Sequence, residues 1–178
     1  WAAMGPHMLF NLGAGEGFHA VGSMTKKIFK KCITFEMNKE NKISIKDNFR
    51  INNINSYEIF GIADVDFLNN IKDKIELNSS LFLFDIEGEE FSVLTEKNLQ
   101  TLKNSYLIIE FHDFYSDKET VANFIQRLKN VYKLEYVKTE NRNFSGLSIL
   151  DKFNDDEKWL MMSESRPSTM QWIICEPK

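Results

Sequence analysis

The sequence predicts an α/β domain built on a mostly parallel sheet. Short apolar runs alternate along the chain with longer segments whose apolar residues recur at helical spacing, which is the pattern of βαβ units. A glycine-rich turn follows the first run and an acidic turn follows the most apolar one. With 178 residues, the chain is long enough for one domain with a substantial core and short for two.

The first half of the chain is predicted to supply three strands and three helices. Short apolar runs place the strands at 8–12, 32–36 and 58–62. The helices are predicted over 18–30, 38–52 and 66–75, because apolar residues recur there about one turn apart. These inward-facing residues are Val21, Met24 and Ile28 in the first helix, Ile45 and Phe49 in the second, and Phe67, Ile71 and Ile75 in the third.

The second half is predicted to supply four strands and two helices. The strands are at 81–86, 106–111, 134–137 and 170–176, and the first of these is apolar until Asp85, so we expect it to be covered on both faces. One helix is predicted over 90–103, with Phe91, Leu94, Leu99 and Leu102 on one stripe. Another begins at the capping-box pattern of residues 116–119. The polar segment 141–167 is predicted as a loop with at most one helical turn.

Charge and composition exclude several classes of protein. The 22 Lys and Arg residues against 26 Asp and Glu give a net charge of −4, which disfavours a nucleic-acid or anionic-membrane partner. No apolar run approaches the roughly 20 residues of a membrane span. Two cysteines do not make a disulfide framework, so we expect a cytoplasmic protein. Residues 1–7 are expected to be leader or vector-derived residues before a single domain at 8–178.

The glycine-rich turn is the strongest local signal for a ligand. Glycines let the backbone bend tightly and approach a ligand, and the following helix offers free N–H groups. The spacing is G-x-G-x-G, and Phe18 stands where a dinucleotide fingerprint has its third glycine, which disfavours an NAD-linked oxidoreductase. The spacing resembles that of S-adenosylmethionine (SAM) sites. The candidate cofactor-binding residues of this turn are Asn11, Gly13, Ala14, Gly15 and Gly17.

Two acidic residues after the next strands complete the candidate cofactor site. Glu36 ends the second strand, where a carboxylate accepts hydrogen bonds from both ribose hydroxyls of NAD or SAM. Asp64 follows the third strand and is a candidate partner for an adenine amino group. The alternatives are a solvated strand-end carboxylate for Glu36 and a turn-forming aspartate for Asp64.

The acidic turn 85–90 carries four carboxylates directly after the most apolar strand. Ligands of open α/β sheets bind at this end of the strands. The dipole of the following helix accounts for Glu89 or Glu90 in its first turn. It does not account for Asp85 and Glu87, which are therefore candidate site residues.

The acidic turn resembles the FkbM-type SAM-dependent methyltransferases. The pattern D-x-E-G-x-E-x-x-V-L is supplied by Asp85, Glu87, Gly88, Glu90, Val93 and Leu94, and the glycine turn, the acid at Glu36 and the strand ending in His112 belong to the same likeness. The resemblance implies a class I methyltransferase fold, a seven-stranded sheet in the order 3-2-1-4-5-7-6 with the last strand antiparallel and helices on both faces. It also implies SAM as cofactor and a hydroxyl of a sugar or small natural product as methyl acceptor. Asn11 departs from the Asp or Glu that many class I enzymes carry there.

Methyl transfer to an alcohol needs a group that removes the hydroxyl proton. His112 is the candidate base, with Asp85 and Glu110 beside it as further catalytic residues. A divalent metal held by Asp85 with Glu87, Glu110, His112 or Asp113 is the less favoured alternative, and the sequence assigns no metal ligands.

The sequence leaves three other functions open. The first is a non-catalytic, methyltransferase-like binding module. The second, which is less favoured, is an NAD-linked oxidoreductase. An RNA or DNA methyltransferase is disfavoured by the acidic charge and by the absence of an Asn-Pro-Pro-Tyr-type motif after the fourth strand. The sequence does not indicate an oligomeric state.

Overall fold

Seven strands form one sheet in the order β3-β2-β1-β4-β5-β7-β6. The strands are β1 (Met8–Leu12), β2 (Lys31–Phe35), β3 (Tyr57–Phe60), β4 (Ser80–Phe84), β5 (Tyr106–Phe111), β6 (Tyr132–Lys138) and β7 (Gln171–Pro177). This computed structural model describes residues 7–72, 80–139, 143, 146–163 and 170–178. The first five strands pair in parallel, and β7 lies antiparallel between β5 and β6. The class I methyltransferase fold that the sequence predicts, with its strand order and reversed last strand, is confirmed.

Helices cover both faces of the sheet. They are α1 (Phe18–Thr25), α2 (Lys39–Ile51), α3 (Glu90–Val93), α4 (Glu96–Leu102), α5 (Lys118–Val131) and α6 (Asp155–Met162). Residues of α1 and α2 share one apolar cluster with one face of the sheet, and residues of α3, α4 and α5 share a second cluster with the other face. No helix within the described residues is long and apolar enough to cross a membrane.

Strand β4 shows why a continuous apolar run becomes a central strand. Phe82 and Phe84 belong to the cluster under α3–α5, whereas Leu81 and Leu83 belong to the cluster under α1 and α2. Phe82 also stacks on Phe10 of β1, with ring centroids 4.3 Å apart. A strand packed on both faces has no solvent-exposed face that could carry polar residues. The run therefore stays apolar until Asp85.

Three predicted helices differ from the structure. Within the described residues, the helix predicted over 66–75 is a short 3-10 helix at Phe67–Asn70. Helix α1 ends at Thr25 because Lys27 adopts a left-handed φ of 57°, a common way to end a helix, and Ile28 is left exposed. The helix predicted over 90–103 is two helices, since Leu94 leaves the helical conformation at a ψ of 63°. Thr95 then caps α4 by accepting a hydrogen bond from the Asn98 backbone N–H.

One helix start and one loop also differ from the prediction. Asp117, not Ser116, caps α5, because its carboxylate accepts hydrogen bonds from the N–H groups of Glu119 and Thr120. The polar segment 141–167 contains the two-turn helix α6, which begins with a capping box formed by Asn154 and Glu157. The predictions for residues 1–6, for Ile75 and for the remainder of the polar loop fall wholly or partly outside the described residues.

Candidate functional site

A cleft of about 810 Å³ opens at the carboxyl ends of β1, β2, β3 and β4. Its size suits a nucleoside-sized ligand. The predicted residues that line it are Gly13, Gly15, Glu36, Asp64 and Asp85. Residues that the sequence singled out on four separate segments therefore meet at one cavity, as expected for parallel strands whose ends share one edge of a sheet.

The glycine turn is held between the loops that follow β2 and β4. The N–H groups of Gly13 and Ala14 both donate to the Phe35 carbonyl oxygen at 3.0 Å. Gly13 has a φ of +76°, and a Cβ at this position would overlap the backbone carbonyl of Asp85. The turn therefore packs directly on the backbone of the acidic turn, and only glycine fits there.

Glu36 both supports the glycine turn and faces the cleft. It is 7% exposed, and its Oε2 accepts a hydrogen bond from Gly15 N at 2.8 Å while its Oε1 accepts one from Asn38 N at 2.7 Å. A carboxylate has about four acceptor positions, so about two remain for ligand hydroxyls.

Three predicted cofactor residues do not line the cleft. Ala14 packs in the apolar cluster under α1 and α2. Gly17 caps α1 with a φ of +89° and borders a separate shallow groove beside that helix. Asn11 is 1% exposed within β1, and neither atom of its side-chain amide has a hydrogen-bond partner in the described part of the chain. An unsatisfied buried amide is rare in native proteins and is a feature that a bound polar group would explain.

His112 lies at the centre of a carboxylate cluster behind the cleft wall. Its ring is fully buried, with Nε2 lying 3.2 Å from Glu87 Oε2 and 3.8 Å from Glu110 Oε2. Its Nδ1 lies 3.3 Å from Glu90 Oε1. The structure thus brings together His112 and Glu110 as the sequence predicts, but Glu87 rather than the histidine lines the cleft.

Glu90 belongs to this cluster, although the sequence analysis assigns it only a place in the D-x-E-G-x-E pattern and in the first turn of a helix. It is fully buried, and its two oxygens accept hydrogen bonds from His112 N at 2.8 Å and Gly88 N at 2.9 Å. This carboxylate therefore joins the loop after β4 to the loop after β5. Its place in the D-x-E-G-x-E pattern is the signal that marks it.

The environment of His112 favours its positively charged form. Burial lowers the pKa of the imidazole, but the hydrogen bond to Glu90 and the charges of Glu90, Glu110 and Glu87 together outweigh burial and raise the pKa above its ordinary value. The histidine therefore carries a proton more readily than a free imidazole does. A cation placed beside it would oppose that protonation.

The site residues fit SAM by their chemistry. The cofactor carries a ribose, an adenine amino group and a cationic sulfonium, and the cleft offers Glu36, Asp64 and Asp85 as hydrogen-bond acceptors and counter-charges. The unpartnered amide of Asn11 adds a neutral donor and acceptor near the glycine turn.

Comparisons with known proteins find similarity to solved structures only. No family model matches the chain, and neither does any curated protein, so the resemblance to the FkbM family stays a prediction. Several solved structures share the fold. One is an rRNA methylase from Streptococcus thermophilus, with a TM-score of 0.65 and 13% identity over 99% of this chain and 90% of that one.

Two further structures extend the range of chemistry found on this fold. A precorrin-6y C5,15-methyltransferase from Geobacter metallireducens has a TM-score of 0.62 and 11% identity, covering 98% of this chain and 82% of that one. A spermidine synthase in complex with a transition-state analogue has a TM-score of 0.64 and 13% identity, covering 99% of this chain and 55% of that one. Because these proteins act on different substrates, the likeness indicates the fold and leaves the acceptor open.

Proposed function

We propose that the chain is a SAM-dependent methyltransferase that O-methylates a hydroxyl of a sugar or small natural product. The observation that carries this proposal is the cleft, where Gly13, Gly15, Glu36, Asp64 and Asp85 share one cavity on a class I methyltransferase fold. The sugar or natural-product acceptor comes from the resemblance of residues 85–94 to the FkbM pattern. A cytoplasmic location stays part of the same proposal.

The residues around the cleft divide into two groups by their chemistry. Glu36 and Asp64 would hold the ribose and the adenine amino group of the cofactor. Bound SAM supplies an electrophilic methyl group on a sulfonium. Asp85 and Glu87 also line the cavity and present negative charge, which favours a cationic centre.

The acceptor hydroxyl must lose a proton, and the His112 cluster is the candidate route for it. Glu87 is 65% exposed at its side chain and lies 3.2 Å from His112 Nε2. A proton accepted at the cleft surface by Glu87 therefore has a buried imidazole within hydrogen-bond reach. Glu110 and Glu90 stabilise positive charge on that ring. Glu87 and His112 can therefore hold the proton together while the acceptor reacts.

Thermal unfolding with added ligand tests the cofactor. At a hundred times its Kd, a ligand adds about 2.7 kcal/mol to the free energy of unfolding, or roughly 5–11 °C for a domain of this size. SAM and its demethylated product should give this shift and NAD should not. A shift with NAD alone would contradict the proposal, and so would the absence of a shift with all three ligands.

Two variants at the cleft, compared with one at the exposed surface, test which carboxylates bind SAM. Glu36→Gln and Asp64→Asn should each weaken SAM binding measured by calorimetry, because each removes a carboxylate at the cleft. Glu40→Gln is the matched control, since Glu40 is an exposed acid of α2 outside the cleft. Transfer of isotopically labelled methyl to a panel of hydroxyl, amine and RNA acceptors then identifies the reaction. Binding without transfer to any acceptor would favour the non-catalytic module.

A further inference from the structure

One cluster of side chains has the composition of a metal site. Asp85, Glu87 and His112 each offer a ligand atom, and the three atoms lie within 4.8 Å of one another. Asp85 and Glu87 line the cleft, and His112 is buried behind them. We propose that these three side chains bind a divalent transition-metal ion at the cleft wall.

The orientation of His112 is the first argument for the ion. Its Nδ1 lies 3.3 Å from Oε1 of Glu90, whose side chain is 1% exposed. Its Nε2 lies on the side of the ring that faces the other carboxylates, 3.2 Å from Glu87 Oε2 and 3.8 Å from Glu110 Oε2.

Imidazole nitrogen and carboxylate oxygen are both common ligands of divalent transition metals, and here Nε2 lies beside the Glu87 carboxylate that lines the cleft. A histidine whose far nitrogen contacts a carboxylate is the usual arrangement of metal-bound histidines, because the carboxylate fixes the ring and strengthens the donor. Glu90 occupies this outer position, since it also accepts hydrogen bonds from the backbone of both loops that carry the ligands.

The second argument is the ease with which the donors can close on an ion. Bonds of about 2.0–2.1 Å place two ligand atoms of a tetrahedral ion about 3.3 Å apart. His112 Nε2 and Glu87 Oε2 are already 3.2 Å apart, and the side chain of Glu87 is 65% exposed, so it can adjust its position around an ion without disturbing the core. His112 is held by packing and by Glu90, which gives the site one rigid ligand and one adjustable ligand.

The donor set also selects among cations. Two carboxylates and one imidazole suit Zn²⁺, Co²⁺ or Fe²⁺ better than Mg²⁺ or Ca²⁺, which prefer oxygen ligands alone. Three protein ligands leave at least one coordination position for a water or a ligand oxygen. A hydroxyl bound there would lose its proton more readily, and the ion would then replace the proton route through Glu87 and His112, because both side chains would bind the ion. That role rests on the proposed methyl transfer, whereas binding of the ion does not.

Cobalt binding in the absence of SAM tests the site directly. Co²⁺ is titrated into chelator-treated protein, and its visible absorption is followed and then reversed with Zn²⁺. We expect one saturable equivalent, without the sulfur-to-metal band that Cys32 or Cys175 would produce. Because no cofactor is present, failure here is distinct from failure of the methyltransferase proposal.

Variants identify the ligands. Glu87→Gln should weaken Co²⁺ binding at least tenfold, and Glu90→Gln should weaken it about 10–100-fold through the histidine. Glu89→Gln is the control, because Glu89 lines the same cleft but does not belong to the three donors. Its Kd should stay within twofold. Since Glu87 is exposed, its variant keeps the test valid even if His112→Asn does not fold.

Two outcomes would overturn the proposal. The first is no saturable binding of Co²⁺ or Zn²⁺ by the wild-type protein, which would mean that a proton alone lies between Nε2 and the carboxylates. The second is binding that Glu87→Gln and Glu89→Gln weaken equally, which would indicate attraction of cations to the acidic cleft in general.

Discussion

Replacing Gly13 by alanine should destabilise the protein more than the same change at Gly15. Both glycines have positive φ, +76° at Gly13 and +54° at Gly15. A left-handed conformation costs an alanine about 1–2 kcal/mol, so this penalty is common to both variants. The two positions differ in their surroundings, which makes Gly15→Ala a matched control for Gly13→Ala.

The added cost at Gly13 comes from the backbone after β4. A Cβ there would lie 2.7 Å from the carbonyl carbon of Asp85 and would overlap its oxygen, whereas a Cβ at Gly15 meets nothing within 4 Å. Backbone atoms cannot rotate away as a side chain does, so the loops must separate, at an overpacking cost of about 1–3 kcal/mol. We expect Gly13→Ala to lose about 2–5 kcal/mol and Gly15→Ala about 1–2 kcal/mol.

Urea unfolding followed by circular dichroism measures both losses. At about 2–4 °C per kcal/mol, Gly13→Ala should also lower the Tm by about 4–20 °C. The denaturant slopes of the two variants should be equal, because the change acts on the native state. If the two variants lose the same free energy, the glycine turn does not pack on the Asp85 backbone as described.

Three further predictions concern other parts of the fold. Asn98 is 4% exposed and its side-chain amide donates to two backbone carbonyls at 2.8 Å, so Asn98→Ala should cost about 2–4 kcal/mol in urea unfolding. As a control, Gln126 is exposed, and Gln126→Ala should change the free energy of unfolding by less than about 0.5 kcal/mol. Burial raises the pKa of Cys32 to about 12 and also raises the pKa of Cys175, so neither thiol should react with a disulfide reagent at about pH 8 until urea unfolds the chain; rapid labelling of folded protein would contradict their burial. Hydrogen bonds from the backbone and side chain of Thr120 lower the pKa of Asp117 below its ordinary value of 3.8, so its stabilising effect is present above that value and is lost as the pH falls through the lower folded pKa. Asp117→Asn should therefore lose less stability between about pH 7 and pH 2 than the wild type, and an unchanged acid sensitivity would argue against this cap.

The parts of the site that local pattern controls could be predicted from the sequence. The glycine turn and Glu36 are each fixed by their place directly after a strand, and the strand limits follow from short apolar runs. Gly13, Gly15 and Glu36 line the cleft, whereas Ala14 and Gly17 of the same turn do not. The glycine spacing alone also distinguishes this turn from a dinucleotide fingerprint, since Phe18 replaces the third glycine.

The break in the helix predicted over 90–103 had a local signal that the periodicity obscured. Leu94 and Leu99 are five residues apart, which is neither three nor four, and Thr95 between them is a good N-cap. For Glu90 the D-x-E-G-x-E pattern was the only signal, and neither periodicity nor a capping pattern indicates its burial. A charged residue in a first helical turn is normally exposed, and its burial depends on how closely the loops after β4 and β5 approach each other. Contacts between segments that are distant in the chain are set by tertiary packing, which periodicity does not describe.

The position of β7 between β5 and β6 has a consequence for the order of folding. Among the described strands, β6 pairs with β7 alone, so residues 132–138 cannot join the sheet until residues 171–177 have inserted beside β5. Contacts between segments so far apart in the chain form slowly. Before that insertion, β5 is an open edge whose unpaired N–H and C=O groups can pair with another chain. A fragment that ends before β7 should therefore retain the parallel half of the sheet and self-associate through that edge.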